Sequence, residues 1–222
     1  MSVDVLPPTL PDLLVPGLDL VFAGINPGER SARRGHYYGH PGNAFWRMLG
    51  ASPLVARPVT CEDDATLAHP LDGGLRIGFT DVVKRVLTDS SGITATELAA
   101  SAPAFRARIA QTAPRAVCFT STRAFEAIYP KAWRSNGWGR QVVPPLDASE
   151  VWVVPSPSGR AAAYHREAVR VLEDLAASLR GTGIPSTPTL PHQGGGSRSI
   201  RAAAGSPPPP RRGRAGVGVL PQ

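Results

Sequence analysis

Short apolar runs alternate with stretches of helical period along the first 180 residues of the chain. Residues 18–25 are mostly apolar and end in Asn26-Pro27-Gly28, the pattern of a buried strand entering a turn. Residues 29–42 are polar and carry Gly35, Gly39, Pro41 and Gly42, which predicts a loop. Asn43 is placed to cap a short helix holding Phe45, Trp46, Met48 and Leu49. Residues 51–74 show no period, and residues 75–79 read as a second strand leading into Thr80-Asp81. Thr94-Ala95-Thr96-Glu97 is a capping-box pattern that opens a helix to about Thr112. A third strand follows at 115–120, then a helix capped by Ser121 with Phe125 and Ile128. A fourth strand at 151–154 stops at Pro155. The last helix is expected over 162–180, with Ala168, Leu172, Leu175 and Leu179 at helical spacing and Gly181 as its stop.

Strands alternating with helices predict an α/β fold, a three-layer sandwich around a central, mostly parallel sheet. Ligand chemistry in such folds gathers at the carboxyl ends of the strands. Asn26, Asp81, Ser121 and Ser156 all fall just past expected strand ends.

The two ends of the chain read differently. Residues 1–16 hold four prolines and no apolar period, which predicts a flexible lead-in. Residues 17–185 are expected to form a single domain. Residues 186–222 hold seven prolines, seven glycines and five arginines but no acidic residue, which predicts a disordered basic tail. The net charge of +7 owes much to that tail, since the remainder has 19 basic against 17 acidic residues. A basic tail suits a polyanion, nucleic acid first, but on composition alone the favoured reading is a solvated, soluble tail.

Two distant cysteines, Cys61 and Cys118, exclude a four-cysteine cluster within the chain and fit a reducing compartment. No signal-peptide pattern opens the sequence, and no apolar run reaches the ~18 residues of a membrane span. A cytoplasmic protein without a membrane partner is expected.

Three segments carry candidate chemistry. Gly24-Ile25-Asn26-Pro27-Gly28 places an amide, both donor and acceptor, in a tight turn at a strand end. Taken alone, the pentapeptide reads first as an ordinary Asn-Pro turn. Residues 35–46 interleave aromatics with glycines. Tyr37 and Tyr38 in that loop suit stacking on a flat base, worth about 1–3 kcal/mol, whereas Phe45 and Trp46 suit the core. His36 and His40 have no partners at metal-ligand spacing, so no metal is expected. Ser156-Pro157-Ser158-Gly159-Arg160 joins the last strand to the last helix, where free backbone N–H groups favour a phosphate and Arg160 projects outward. The same loop also reads as a Ser-capped helix with a solvated arginine.

Gly24-Ile25-Asn26-Pro27-Gly28, Gly42-Asn43-Ala44-Phe45-Trp46, Ile77-Gly78-Phe79-Thr80-Asp81 and Pro155-Ser156-Pro157-Ser158-Gly159 together resemble the mismatch-specific uracil/thymine-DNA glycosylase family, in its order and spacing over roughly residues 18–180. The resemblance implies a uracil-DNA glycosylase-like α/β domain that acts without cofactor or metal. It implies a monomer that extrudes mispaired uracil from double-stranded DNA carrying a G·U or related mismatch and hydrolyses the N-glycosidic bond. Thymine or other altered pyrimidines are possible further substrates. By the same resemblance, Asn26 positions the attacking water, while Ile25, Tyr38 and Asn43 form the base pocket. Ser156, Ser158 and Gly159 meet the DNA backbone, and Arg160 fills the vacated stack. Two departures stand out. Arg160-Ala161-Ala162 replaces the Leu-Ser-Arg common in bacterial members, so the arginine expected to read the opposite guanine is missing. Asp81 stands where many relatives place Asn, and it either joins catalysis as carboxylates do in glycosidases or caps local structure.

Two other functions compete. One is a non-catalytic binder of mismatched or damaged DNA, which would bind with salt dependence and release no base. The other is an unrelated α/β phosphate-ester or nucleotide enzyme, disfavoured because neither a P-loop nor a dinucleotide fingerprint is present.

Overall fold

The computed structural model describes residues 9–133 and 137–181. Residues 1–8 and the basic tail predicted over 186–222 lie outside the described residues.

Five strands form one sheet: β1 (Leu20–Gly24), β2 (Ile77–Asp81), β3 (Ala116–Phe119), β4 (Gly139–Arg140) and β5 (Glu150–Val153). Their order is β2-β1-β3-β5-β4, parallel throughout except for β4, which runs antiparallel to β5. The helices are α1 (Glu29–Arg34), α2 (Phe45–Gly50), α3 (Ala95–Thr112), α4 (Thr122–Ile128) and α5 (His165–Arg180).

The interior strands are buried on both faces, which is why β1 and β3 are continuous apolar runs rather than alternating ones. Successive side chains still point to opposite layers. Leu20 and Phe22 pack with Phe45, Phe79, Trp152 and Leu172 on the side of α2 and α5. Val21 and Ala23 pack with Phe105, Ile109, Phe119 and Phe125 on the side of α3 and α4. This is the predicted α/β sandwich.

Because β1 sits between β2 and β3, the chain first winds to one side of β1 and then to the other. The crevice between the carboxyl ends of β1 and β3 is therefore the switch point where such sheets bind ligands.

Several local expectations change. Residues 29–34 form a helix rather than a loop. Its six residues are too few to show an apolar period, but Gly35 closes it in the left-handed conformation and Glu29 pairs with Arg33 one turn on. Asn43 does not occupy the N-cap of α2; Ala44 does, and the Asn43 Oδ1 accepts from the Phe45 N–H at 2.9 Å. The last helix begins at His165, because residues 159–164 form a 3-10 turn that precedes it. Strand β4 has only two residues and no readable pattern.

The lead-in assigned to residues 1–16 is not loose from residue 9 onward. Leu13 exchanges two backbone hydrogen bonds with Phe79 of β2, Leu10 is buried, and Asp12 pairs with Lys84. From residue 9 onward the lead-in is a strap tied to β2 at Leu13.

Candidate active site

The β1–β3 crevice holds a cavity of about 250 Å³. Its walls come from the turn after β1 (Gly24 to Gly28), the Tyr37–Asn43 loop, Asp81 at the end of β2, Thr120 and Ser121 after β3, and Ser156 to Ser158 after β5. Seven of the expected site residues line it: Ile25, Asn26, Tyr38, Asn43, Asp81, Ser156 and Ser158. Gly159 and Arg160 do not. They sit on the exposed turn beyond it, where the Arg160 guanidinium meets the Asp89 carboxylate at 2.9 Å.

Asn26 is fixed by its own amide. Its Nδ2 donates to the carbonyl of Pro27 at 3.0 Å and to that of Arg85 at 3.3 Å. Both amide hydrogens are thereby engaged, and Oδ1 is left as the acceptor for a ligand or a water. The Arg85 segment is held in turn by Leu87, whose N–H donates to Pro27 and whose carbonyl accepts from Glu29.

Asp81 closes the neighbouring strand. It pairs in register with Gly24, and its side chain lies over that glycine. The carboxylate is buried, and its Oδ2 has no hydrogen-bond partner. Burial pushes its pKa up to about 7, with Asp12 adding to the rise while Lys84 and Arg108 oppose it. An unpartnered carboxyl in a cavity wall, titrating near neutrality, is a group available for chemistry.

Tyr38 adopts a left-handed backbone conformation with φ of 52°, uncommon for a bulky residue and costly unless its surroundings enforce it. Its ring stacks on Phe45 with centroids 3.9 Å apart, and its hydroxyl lies 3.1 Å from that of Thr120. Burial raises the pKa of its phenol, and that of Tyr37, so both hydroxyls stay neutral. Ala44, the residue after Asn43, links this loop to the next wall, its N–H donating to the Pro157 carbonyl at 2.9 Å, while the Asn43 N–H donates to the His40 carbonyl at 2.8 Å within the loop. In that wall the Ser156 hydroxyl accepts from the Ser158 N–H at 3.3 Å.

Among the described residues, no group of three or more His, Cys, Asp or Glu side chains is arranged to hold a metal ion, and no helix is long and apolar enough to cross a membrane.

Sequence reasoning missed several lining residues, Leu10 on the strap and Ser31 on α1 among them. Leu87, Thr88 and Ser90 reach the cavity from the stretch between β2 and α3, and Thr88 donates to Glu29 at 2.6 Å. The polar run Thr88-Asp89-Ser90-Ser91-Gly92 was the available signal, but nothing local ties it to the turn after β1.

A family model of the uracil DNA glycosylase superfamily matches residues 11–179, a span that includes the strap before β1. Among solved structures, a solution NMR structure of a Methanosarcina acetivorans protein, provisionally described as a uracil DNA glycosylase, is 24% identical with a TM-score of 0.49, and the match covers 77% of this chain and 99% of that chain.

Proposed function

The chain belongs to the uracil DNA glycosylase superfamily, and from that premise we propose that it is a monofunctional glycosylase directed at mispaired uracil in duplex DNA. The reading rests on one observation above the others: Asn26, with its acceptor oxygen left available, and Asp81, a buried carboxyl without a partner, line the same cavity at the switch point of the sheet.

The mechanism follows from what these groups can do. A base leaves the stack at a cost of a few kcal/mol, smallest when it is mispaired, and enters the cavity against Tyr38, backed by Phe45. Scission of the bond between the sugar C1′ and the base nitrogen sends the electron pair to the base and builds positive charge on the sugar. The Asn26 Oδ1 accepts a hydrogen bond from the attacking water and aims its oxygen at C1′. Asp81, as a carboxylate, stabilises the sugar cation and takes the proton the water loses. The departing base anion is protonated afterwards, leaving an abasic site. Ile25 and Asn43 complete the base pocket, and Ser156, Ser158 and Gly159 meet the DNA backbone. Arg160 enters the vacated stack. The protein acts as a monomer without a cofactor. Asp81 extends the range beyond uracil to other altered pyrimidines, thymine among them.

The test is to incubate end-labelled duplexes carrying one G·U, A·U or G·T pair, and single-stranded uracil DNA, followed by alkali. Scission at uracil, greatest in the G·U duplex, is expected. Binding without scission on every substrate would overturn the enzymatic reading in favour of a binder of damaged DNA.

A further inference from the structure

Beneath the cavity lies a charged cluster that the mechanism above does not use. Asp12, on the strap before β1, sits at its centre. Its Oδ1 accepts from the Thr80 hydroxyl at 2.6 Å and from the Lys84 Nζ at 2.7 Å. Its Oδ2 lies 3.3 Å from the Arg108 Nε, close enough for charge attraction though not aligned as a hydrogen bond. Lys84 also donates to the Leu10 carbonyl at 2.6 Å. Arg108, on α3, donates through Nη2 to the backbone carbonyl of Asp81 at 2.7 Å. Each of the three side chains is about a quarter exposed or less, so solvent screens them only in part.

The arrangement has a charge balance. Two cations, Lys84 and Arg108, face two carboxylates, Asp12 and Asp81. With Asp81 ionised the four cancel, and with Asp81 protonated one positive charge is left over. The remaining titratable groups around Asp81 are Tyr37 and Tyr38, both neutral, and His40 on the cavity wall. Thr80 is the residue immediately before Asp81 in β2, so its bond to Asp12 also fixes the backbone that carries the catalytic carboxylate.

We propose that Asp12 is a positioning residue of this active site: it holds Lys84 and Arg108 in place beside Asp81 and, by sharing their charge, sets the pH at which Asp81 becomes a carboxylate. The proposal rests on the reading of Asp81 as the acting carboxylate. It also gives the strap a role in the site it underlies.

Two variants should move Asp81 in opposite directions. Asp12→Asn leaves Asp81 as the one carboxylate of the cluster facing two cations, which favours its ionised form, so the Asp81 midpoint should fall by roughly one pH unit. Lys84→Gln removes a cation, so it should rise by a similar amount. Lys84→Arg keeps the charge and should leave the midpoint in place. The midpoint is read from the carboxyl carbon of Asp81 by NMR titration of the full chain labelled at aspartate. The single-turnover rate of uracil release is followed over the same pH range, and thermal melting checks that each variant is folded. Asp12→Ser removes the same charge should Asp12→Asn fail to fold. Opposite shifts in the NMR midpoint, tracked by the acidic limb of the rate, support the proposal. Midpoints that stay fixed, or that move in one direction in both variants, overturn it whatever happens to activity. Opposite NMR shifts with an unmoved rate limb leave Asp12's hold on Asp81 intact and defeat instead the reading of Asp81 as the acting carboxylate.

Discussion

Gly24 and Asp81 face each other across two parallel strands so closely that a methyl group on Gly24 would stand 2.2 Å from the Asp81 Oδ1. The need for glycine here is steric and comes from across the sheet. Gly24 lies inside a regular strand, and the space its missing side chain leaves is filled by the carboxylate. The Tyr38 hydroxyl comes within 3.7 Å of the same point, so the glycine also seats the aromatic wall.

Gly24→Ala should therefore displace Asp81 and destabilise the fold by about 1–3 kcal/mol, as overpacking does. In an Asp81→Gly background the same substitution should cost much less, because the clashing oxygen is gone. A double-mutant cycle in urea measures the coupling. Additive effects would show that the methyl group meets some other obstacle.

The raised pKa of Asp81 has a consequence for stability. Its folded value of about 7 lies above the ordinary value of 3.8. Between those pH values the native state binds more proton than the unfolded state. Stability from this group is thus complete below about pH 4 and is lost as pH rises through about 7, by on the order of 2–4 kcal/mol. Asp81→Asn should remove that dependence and melt higher than the parent at pH 8. Activity should run the opposite way, rising through about pH 7 as the carboxylate forms. Melting curves and single-turnover rates from pH 5 to 9 check both limbs, and a variant that melts with the parent's pH dependence would refute the assignment.

In the proposed mechanism Asn26 acts through position rather than basicity, since an amide is a poor proton acceptor. Asn26→Ala should slow single-turnover uracil release by on the order of 10²-fold or more. Duplex binding, measured by anisotropy, should stay near the parental value. Equal losses in binding and rate would instead mark Asn26 as a brace for the Arg85 segment, to which its amide donates.

Much of this site is legible without coordinates, for a physical reason. Interior strands of a parallel sheet bury both faces, so β1, β3 and β5 announce themselves as apolar runs, as does the edge strand β2, whose residues are all buried, and the residues just beyond them converge at one end of the sheet. Asn26, Asp81, Ser121 and Ser156 were placed that way. What escapes the pattern depends on partners far along the chain. Asp12 lies among prolines that read as a loose lead-in, yet its partners Thr80, Lys84 and Arg108 are all more than 60 residues away. Thr88 reaches the cavity through Glu29 and a backbone bridge between Gly28 and Leu87, neither of which has a local signature. Arg160 was expected to project freely, and its pairing with Asp89 is again a long-range contact.

That pairing bears on the wedge role proposed for Arg160. The Arg160 side chain is 82% exposed and its partner 43%, and ion pairs this open to solvent are weak. The Ser91 N–H, first, and then Arg160 hold the Asp89 carboxyl down to about 2, so Asp89 is ionised at every working pH. The pair parks the arginine at the mouth of the site without locking it there, and a nearby phosphate can displace the carboxylate. Arg160→Ala should therefore slow release of uracil from an A·U duplex more than from a G·U duplex, because a well-paired base costs more to extrude and depends more on a side chain that holds the gap open. Asp89→Asn, which frees the arginine and removes a negative charge facing DNA, should tighten duplex binding a few-fold at low salt, with the gain shrinking as salt rises. In the double variant the gain that comes through Arg160 should vanish. Equal rates for Arg160→Ala and the parent on both duplexes would remove arginine from the wedge role.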